Sequence, residues 1–154
     1  METEVTELER SLKGLADVTR LRIVNLLCWG ELCGCDIQRV LEASQSNVSR
    51  HLTYLKHAGL VLDRRDGFRV FYRLAPAESE TRKNLLQFLA AAFRRNESFR
   101  GDLQRLKEAI KDGACRMVPV KARRQPFAAI RAGGQRIHRK GRETSPGRSP
   151  VIAP

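Results

Sequence analysis

Residues 31–60 read ELCGCDIQRVLEASQSNVSRHLTYLKHAGL, and this stretch decides the fold. Apolar residues spaced three and four apart predict a helix over about 35–41. A polar turn follows, in which Ser44 is well suited to cap a second helix over 45–57, and Gly59 ends that helix. The stretch therefore predicts two helices joined by a short turn.

The segments on both sides of this helix pair add four helices and one hairpin. The hairpin segments are rich in β-branched and aromatic residues, and Asp-Gly is a strong signal for the turn between two strands. The predicted bounds are 4–16 and 18–29 before the pair, then strands at 61–65 and 68–74 around Asp66-Gly67, then 78–95 and 98–112. The predicted fold is mainly α with a small β-hairpin, a winged helix-turn-helix.

The positive charge of the chain is unevenly distributed. Of the net +12, residues 119–154 carry +8 and residues 44–75 carry +4. Prolines, glycines and arginines fill 119–154 without an apolar period, so we expect a basic, disordered tail there and a folded domain over 1–118. Positive charge that is concentrated on one element is typical of proteins that bind a polyanion.

Several function classes are excluded by the sequence. Four cysteines without an apolar N-terminal signal segment indicate a reducing interior, and no apolar run approaches the roughly 20 residues that span a bilayer. We expect a cytoplasmic protein without a membrane partner. Because neither a glycine-rich phosphate loop nor a nucleophile–base arrangement is present, we expect no enzyme activity and no organic cofactor.

The second helix of the pair has the polar face that a DNA-reading helix needs. Amide, hydroxyl and guanidinium groups lie opposite its apolar positions, where they could reach base edges in a major groove. We predict DNA contacts from Gln45, Ser46, Asn47, Ser49, Arg50 and His51. The hairpin adds arginines suited to phosphate or minor-groove contact, which are Arg64, Arg65 and Arg69. These features together favour double-stranded DNA as the partner.

Cys33-Gly34-Cys35 opens the stretch and is the candidate metal site. Thiophilic ions bind thiolates, and a thiol at the start of a helix ionises more readily because the helix dipole stabilises its anion. Side chains at i and i+2 of a helix point to different sides, so Cys33 and Cys35 could not hold one ion if both were helical. We therefore expect binding to unwind or reorient the first turn of the 35–41 helix and thereby misplace the DNA-reading helix.

The chain resembles the ArsR/SmtB family of metal-sensing repressors over about residues 8–95. The resemblance is carried by LADVTRLRI at 15–23, ELCGCD at 31–36, SQSNVSRHL at 44–52 and the segment from Gly67 to YRL at 72–74. It implies a homodimer, joined through the first helix and the 78–95 helix, that occupies an operator and leaves it when metal binds. The C-x-C motif is similar to that of the family's arsenite-type sensors, which implies As(III) or Sb(III), with Cd(II) or Pb(II) as further inducers.

One position departs from the arsenite-type pattern. In many such sensors a third cysteine follows the second after two intervening residues, and in this chain that position is Gln38. A site with three thiolates must then recruit another cysteine, or else the site has two thiolates and a solvent ligand. Cys115 is the candidate third ligand, whereas Cys28 beside Leu27 is expected to lie in the core.

Three other functions remain open at the level of sequence. The same fold could use the cysteines as a redox or persulfide switch, which would show as a reversible Cys–Cys link. A thiol oxidoreductase is disfavoured because the spacing is C-x-C and no βαβ unit surrounds it. A DNA-binding module without any ligand is the third. The tail at 119–154 could add phosphate affinity or be an extension without function.

Overall fold

A computed structural model describes residues 3–113, which form six helices around a small antiparallel sheet. The helices are α1 Glu4–Leu15, α2 Val18–Leu27, α3 Gly34–Leu41, α4 Gln45–His57, α5 Glu80–Arg95 and α6 Glu97–Lys111, and the strands are β1 Leu32–Cys33, β2 Val61–Asp66 and β3 Arg69–Leu74. The predicted winged helix-turn-helix class is confirmed, and helix bounds differ from prediction by at most two residues. Cys115 and the predicted tail at 119–154 lie outside the described residues.

The predicted caps set the helix starts. The Asp17 carboxylate accepts from the backbone N–H of Arg20 at 3.0 Å, and the Ser44 hydroxyl accepts from that of Asn47 at 3.3 Å. Each satisfies a backbone donor that the first helical turn leaves without a partner. Between α3 and α4, Glu42 takes a left-handed φ of +53°, which turns the chain sharply between the two helices. The helix pair expected from the sequence is therefore present.

The hairpin turn was predicted one residue too early. Asp66 pairs with Arg69 across the strands, so the two loop residues are Gly67 and Phe68 instead of Asp66 and Gly67. Gly67 has a φ of +59°, and Phe68 is not among the described residues with positive φ. A glycine with positive φ at the first loop position, followed by a residue without it, is the pattern of a type II′ turn. The shift places Phe68 at the tip of the hairpin, which we call the wing.

Strand β1 was not predicted. It pairs antiparallel with β3, with Leu32 opposite Tyr72 and Cys33 opposite Phe71, and makes the sheet three-stranded in the order β1-β3-β2. Two residues are too few to show a strand period in the sequence. The pairing matters for the site because it fixes Cys33 to the wing just before α3 begins.

Helix α2 lies at the centre of the core. Its residues Ile23, Val24 and Leu26 have no exposed surface and pack with apolar residues of α3 and α4. Helix α1 approaches closely because Gly14 has no side chain, since a Cβ there would lie 2.6 Å from the Cβ of Ala58. The apolar stripe predicted on α1 is only partly buried, with Val5 76% and Leu12 49% exposed.

Helix α6 is fastened to α2 and α3 by a buried ionic cluster. Asp102 has no exposed surface, and its carboxylate accepts from Arg22 of α2 at 2.7 and 2.8 Å and from Arg105. Arg105 also donates to the backbone carbonyl of Val40 in α3 at 3.1 Å. A buried carboxylate needs such partners to offset its desolvation. Helix α3 is therefore packed between α6 and α4. Within residues 3–113, no helix is long and apolar enough to span a bilayer.

Candidate thiol site and nucleic-acid interface

The structure brings Cys33 and Cys35 together. Cys33 is the N-cap of α3 and has extended backbone angles, whereas Cys35 lies in the first helical turn, and their Sγ atoms are 2.6 Å apart. Only one of the two is helical, so the two thiols lie together without any unwinding of α3. The expectation that binding unwinds or reorients the first turn of this helix stays a prediction. Cys33 is buried and Cys35 is exposed, which leaves the pair accessible from one side. Two thiols at this separation can act on one thiophilic centre.

Tyr72 of the wing lies against the backbone that joins the two cysteines. Its Cε2 atom is 3.2 Å from the place where a Cβ of Gly34 would be, so glycine permits the close approach of the ring. Burial, with a smaller effect from Asp63, raises the pKa of Tyr72 above its ordinary value. Tyr72 therefore stays neutral near pH 7 and presents an aromatic wall beside the thiols.

The two thiols open onto a cleft of about 360 Å³ between the start of α3, the first half of α4 and the wing. The cleft therefore combines thiols, apolar groups and residues predicted to contact DNA. Its walls include the polar Gln38, Gln45, Ser49, Arg65 and Arg69, and the apolar or aromatic Val48, Leu52, Phe68, Val70 and Tyr72. Cys33 and Cys35, predicted to bind the metal, therefore share this cavity with residues of α4 and the wing that are predicted to contact DNA.

The described residues supply two thiols to this site. Cys28 packs against the core, as expected, and burial raises the pKa of its thiol to about 12, so it is protonated and a poor ligand near pH 7. Among residues 3–113, no group of three His, Cys, Asp or Glu side chains is placed to hold a metal ion. The predicted role of Cys115 lies outside the described residues and stays a prediction.

The predicted reading face of α4 is exposed over most of its length. Gln45, Ser46, Ser49 and Arg50 are exposed and Asn47 is half-buried, opposite the buried Val48, Leu52 and Leu55. His51 differs from the others, because its imidazole lies 3.5 Å from the carboxylate of Asp17 and its side chain is only 12% exposed. The direct DNA contact predicted for His51 would have to compete with this contact to the α2 cap.

The three wing arginines are not equivalent. Arg64 donates to the buried carboxylate of Glu31 at 2.7 Å and lies over the ring of Phe71, which keeps it against the sheet. Arg65 and Arg69 are exposed and have no ion-pair partner within residues 3–113. The DNA contact predicted for Arg64 requires this pair to open, so Arg65 and Arg69 are the better placed for phosphate.

Three residues of the site escaped the sequence argument. Glu31 precedes the C-x-C motif as an ordinary acid, and only its burial at 4% exposure identifies it as the partner of Arg64. Tyr72 was assigned to a strand without a role at the thiols. Phe68 was placed inside a strand, although it is fully exposed at the wing tip. The Asp-Gly-Phe sequence could have indicated the tip if a type II′ turn had been considered.

Comparison with known proteins finds relatives among bacterial regulators. The family model described as "Bacterial regulatory protein, arsR family" matches residues 17–62. The arsenical resistance operon repressor of Escherichia coli (strain K12) is 55% identical over 65 residues, which make up 42% of this chain and 56% of that protein. The chain thus spans about half the length of the curated relatives that it matches.

Solved structures show the same architecture over a larger share of their length. HlyU from Vibrio cholerae N16961 is 34% identical with a TM-score of 0.53, and the match covers 60% of this chain and 97% of that one. A homodimeric winged helix-turn-helix DNA-binding domain from Mycobacterium bovis, described as a possible ArsR-family regulator, is 27% identical with a TM-score of 0.50. That match covers 63% of this chain and 92% of the domain.

Proposed function

We propose, because this chain belongs to the ArsR family of bacterial regulatory proteins, that it is a cytoplasmic, homodimeric repressor that leaves its DNA operator when As(III) or Sb(III) binds Cys33 and Cys35. The observation that carries the proposal is the 2.6 Å separation of the two Sγ atoms at a cleft shared with DNA-reading residues. Membership of a family of regulators also agrees with the expectation that the chain is not an enzyme.

The DNA-binding part of the proposal is supported by the exposed polar groups of α4 and the wing. Gln45, Ser49 and Arg50 can reach base edges from the first half of α4. Arg65 and Arg69 add positive charge on the adjacent wing, where phosphate contacts would fix the orientation of the reading helix. Asn47 and Ser46 complete the predicted contact surface.

The homodimer is supported by apolar surface on the two helices that the family resemblance assigns to the interface. Val5 and Leu12 on α1 and Phe88 on α5 are all large, apolar and exposed. The two helices are already joined by an ion pair between Glu7 and Arg82 at 3.1 Å. A Phe88→Arg variant should shift sedimentation from dimer to monomer, and a dimer that persists would contradict this interface.

Release is proposed to act locally at the shared cleft. A ligand on Cys33 and Cys35 would lie beside Gln45 and Ser49 of α4 and beside Arg65 of the wing. It could thus change both DNA-contacting elements without moving α3 away from α4. A hundredfold loss of operator affinity needs only about 2.7 kcal/mol of coupling, which is ordinary for allosteric proteins.

Cys115 is proposed as the third thiolate for arsenite, antimonite, cadmium or lead. Asp112, at the end of α6, forms an ion pair with Arg39 of α3 at 3.4 Å, and Arg39 is one helical turn from Cys35. Three further residues can extend by at most about 11 Å. The contact of the end of α6 with α3 is what supports Cys115 as the third ligand.

The test is an operator-binding titration with arsenite on purified full-length variants. Cys33→Ser and Cys35→Ser should bind operator like the wild type and no longer release it, whereas the matched control Cys28→Ser should respond normally. Cys115→Ser should raise the arsenite concentration needed for release. Release of the Cys33→Ser variant at the wild-type concentration would contradict the proposal.

A redox switch is the second candidate, because the same 2.6 Å separation would favour a link between Cys33 and Cys35 on oxidation. Mild oxidation that releases operator and is reversed by dithiothreitol, in a protein without arsenite affinity, would favour it. If neither treatment releases the operator, the ligand-independent module remains. For residues 119–154 we propose sequence-independent phosphate contact, and deletion of the tail should reduce the salt dependence of binding.

A further inference from the structure

The last turn of α4 is contacted by both helices of the proposed dimer interface. Helix α4 is closed by Gly59, whose φ of +72° is the left-handed conformation that ends many helices. From α1, Gly14 approaches so closely that a Cβ there would lie 2.6 Å from the Cβ of Ala58. From α5, the side chain of Arg82 reaches the carbonyl of Gly59. Contacts from α1 and α5 therefore converge on one end of α4.

Arg82 joins α1, α4 and α5 through separate atoms. Its Nη1 donates to the carbonyl of Gly59 at 3.0 Å, and its Nε forms an ion pair with the carboxylate of Glu7 on α1 at 3.1 Å. Its backbone N–H donates to the hydroxyl of Ser79, the cap of α5, at 3.1 Å. The planar guanidinium can hold two partners at once, and the side chain is only 12% exposed. Arg82 is thus fixed in one geometry between the three helices.

This contact lies at the far end of α4 from the residues predicted to contact DNA. Those residues occupy 45–51, whereas Gly59 follows the last turn of a 13-residue helix, which is about 20 Å long. Arg82 is therefore too distant to touch the bases that α4 would read. It can affect DNA binding only through the orientation of the helix, because a displacement of the last turn of a stiff helix tilts its first turn.

The distance between the two copies of α4 determines which operators a dimer fits. The two half-sites of such an operator lie one helical turn of DNA apart, roughly 34–36 Å, or a multiple of it. One additional base pair moves a half-site by roughly 3.4 Å and rotates it by roughly a tenth of a turn. A dimer whose α4 helices are fixed to the interface tolerates this change poorly, whereas a dimer whose α4 helices can tilt tolerates it better.

We propose that Arg82 is a positioning residue that fixes α4 to the dimer interface and thereby sets the half-site spacing that the protein accepts. The proposal rests on the proposed homodimeric repressor and adds a determinant of its operator choice. Glu7 holds the guanidinium from α1, and the Gly59 carbonyl transfers the constraint to α4. The positive charge also complements the negative end of the α4 helix dipole.

The experiment measures how strongly each variant discriminates between operator spacings. Selection from random-sequence duplexes with the full chain supplies the operator. Fluorescence anisotropy then compares the selected duplex with duplexes that carry one base pair more or one fewer between the half-sites. The wild type should bind the altered duplexes at least about tenfold more weakly, a penalty similar to that of one mismatched base pair. In Arg82→Gln this ratio should fall to about threefold or less.

A duplex with one scrambled half-site separates positioning from a general loss of structure. Arg82→Gln should bind this duplex like the wild type, because each α4 keeps its own base contacts, and it should sediment as a dimer. Lys83→Gln is the matched control, since it removes the same charge from the next residue, which forms an ion pair with Glu80 of its own helix at 3.1 Å. This control should keep the wild-type spacing ratio.

Arg82→Lys is the second variant, and it decides the outcome if Arg82→Gln does not fold. Lysine keeps the charge beside Glu7, but its single ammonium lacks the fork that also holds the Gly59 carbonyl. The spacing ratio should therefore fall in this variant as well. A wild-type ratio in Arg82→Lys would show that charge alone is sufficient and would overturn the proposed role of the Gly59 contact.

Different failures identify different errors. If Arg82→Gln keeps the wild-type spacing ratio, or if Lys83→Gln lowers it equally, Arg82 does not set the spacing and the repressor function stands. An equal loss of affinity for the intact and the scrambled duplex, or sedimentation as a monomer, would assign Arg82 to folding or dimerisation instead. If selection with the wild type yields no sequence with two half-sites, the proposed dimeric repressor fails together with this inference.

Discussion

Replacing both Arg65 and Arg69 by alanine should flatten the salt dependence of operator binding, whereas replacing Arg64 should not. Each phosphate that a protein neutralises contributes about 0.9 to the slope of log affinity against log salt. Two arginines in each protomer of the proposed dimer amount to four contacts, so the slope should fall by about 3.6. Over a fourfold increase in salt concentration, the wild type should therefore lose about 150 times more operator affinity than the double variant.

The Arg64→Ala variant is the matched control, because the three arginines lie on one hairpin and differ in their partners. Arg64 donates to Glu31 at 2.7 Å and lies 4.6 Å from the ring centre of Phe71. Its removal leaves the buried Glu31 carboxylate without this partner, which should cost about 1–2 kcal/mol of folding stability. The effect should therefore appear in denaturation and be small in the salt slope.

Fluorescence anisotropy of a labelled operator, measured between about 50 and 200 mM salt, gives the slope directly. The reasoning is refuted if Arg64→Ala lowers the slope as much as Arg65→Ala does. It is also refuted if the double variant keeps the wild-type slope. A uniform loss of affinity at all salt concentrations would mean that the arginines act on wing conformation instead of phosphate.

Three further predictions concern stability. Gly14→Ala should destabilise the fold by about 2 kcal/mol in urea denaturation, because the new Cβ would lie 2.6 Å from the Cβ of Ala58. Gly101→Ala is the matched control: a Cβ there meets nothing within 4 Å, so the substitution should stabilise the helix by about 0.5–1 kcal/mol. Equal effects of the two substitutions would contradict this prediction. Asp102→Ala should lower the free energy of unfolding by about 3 kcal/mol. This is the low end for a buried ion pair, because Arg22 and Arg105 keep contact with solvent. A denaturation midpoint equal to that of the wild type would contradict the role of the cluster. Burial raises the pKa of Asp17, but the capping N–H and the nearby His51 and Arg20 outweigh it and hold this pKa below its ordinary value of 3.8. The stabilisation by the Asp17 carboxylate is therefore complete above the ordinary value and is lost as pH falls below it. The difference in stability between wild type and Asp17→Asn should narrow in that acidic range, and a difference that is constant with pH would argue against this role.

Local signals in the sequence determined most of the fold. The start of α4 could be predicted because Ser44 places an acceptor where the first turn needs one, and Asp17 does the same for α2. The wing turn was misplaced by one residue because Asp-Gly and Gly-Phe both contain a residue that tolerates positive φ. Only the strand register, which pairs Asp66 with Arg69, distinguishes them.

The arrangement of the thiols could not be predicted for a different reason. It depends on Cys33 being extended, and that conformation is set by pairing with Phe71, which is 38 residues away in the chain. The predicted helix begins only at about residue 35, and no local signal shows how the chain before it orients the Cys33 side chain. The pairing of Arg64 with Glu31 is likewise non-local, so an argument from composition assigns all wing arginines the same role.

The packing of α3 limits which movements a ligand on Cys33 and Cys35 could cause. On one side α4 packs against it, and on the other Arg105 of α6 donates to the Val40 carbonyl while its guanidinium is held by the fully buried Asp102. A movement of α3 as a whole would therefore break buried polar contacts, which cost several kcal/mol when one partner is lost. Cys35 lies at the opposite end of α3 from Val40 and faces the open cleft. A ligand on the proposed dithiol site would thus cost least if it caused a local change at the cleft, where α4 and the wing meet.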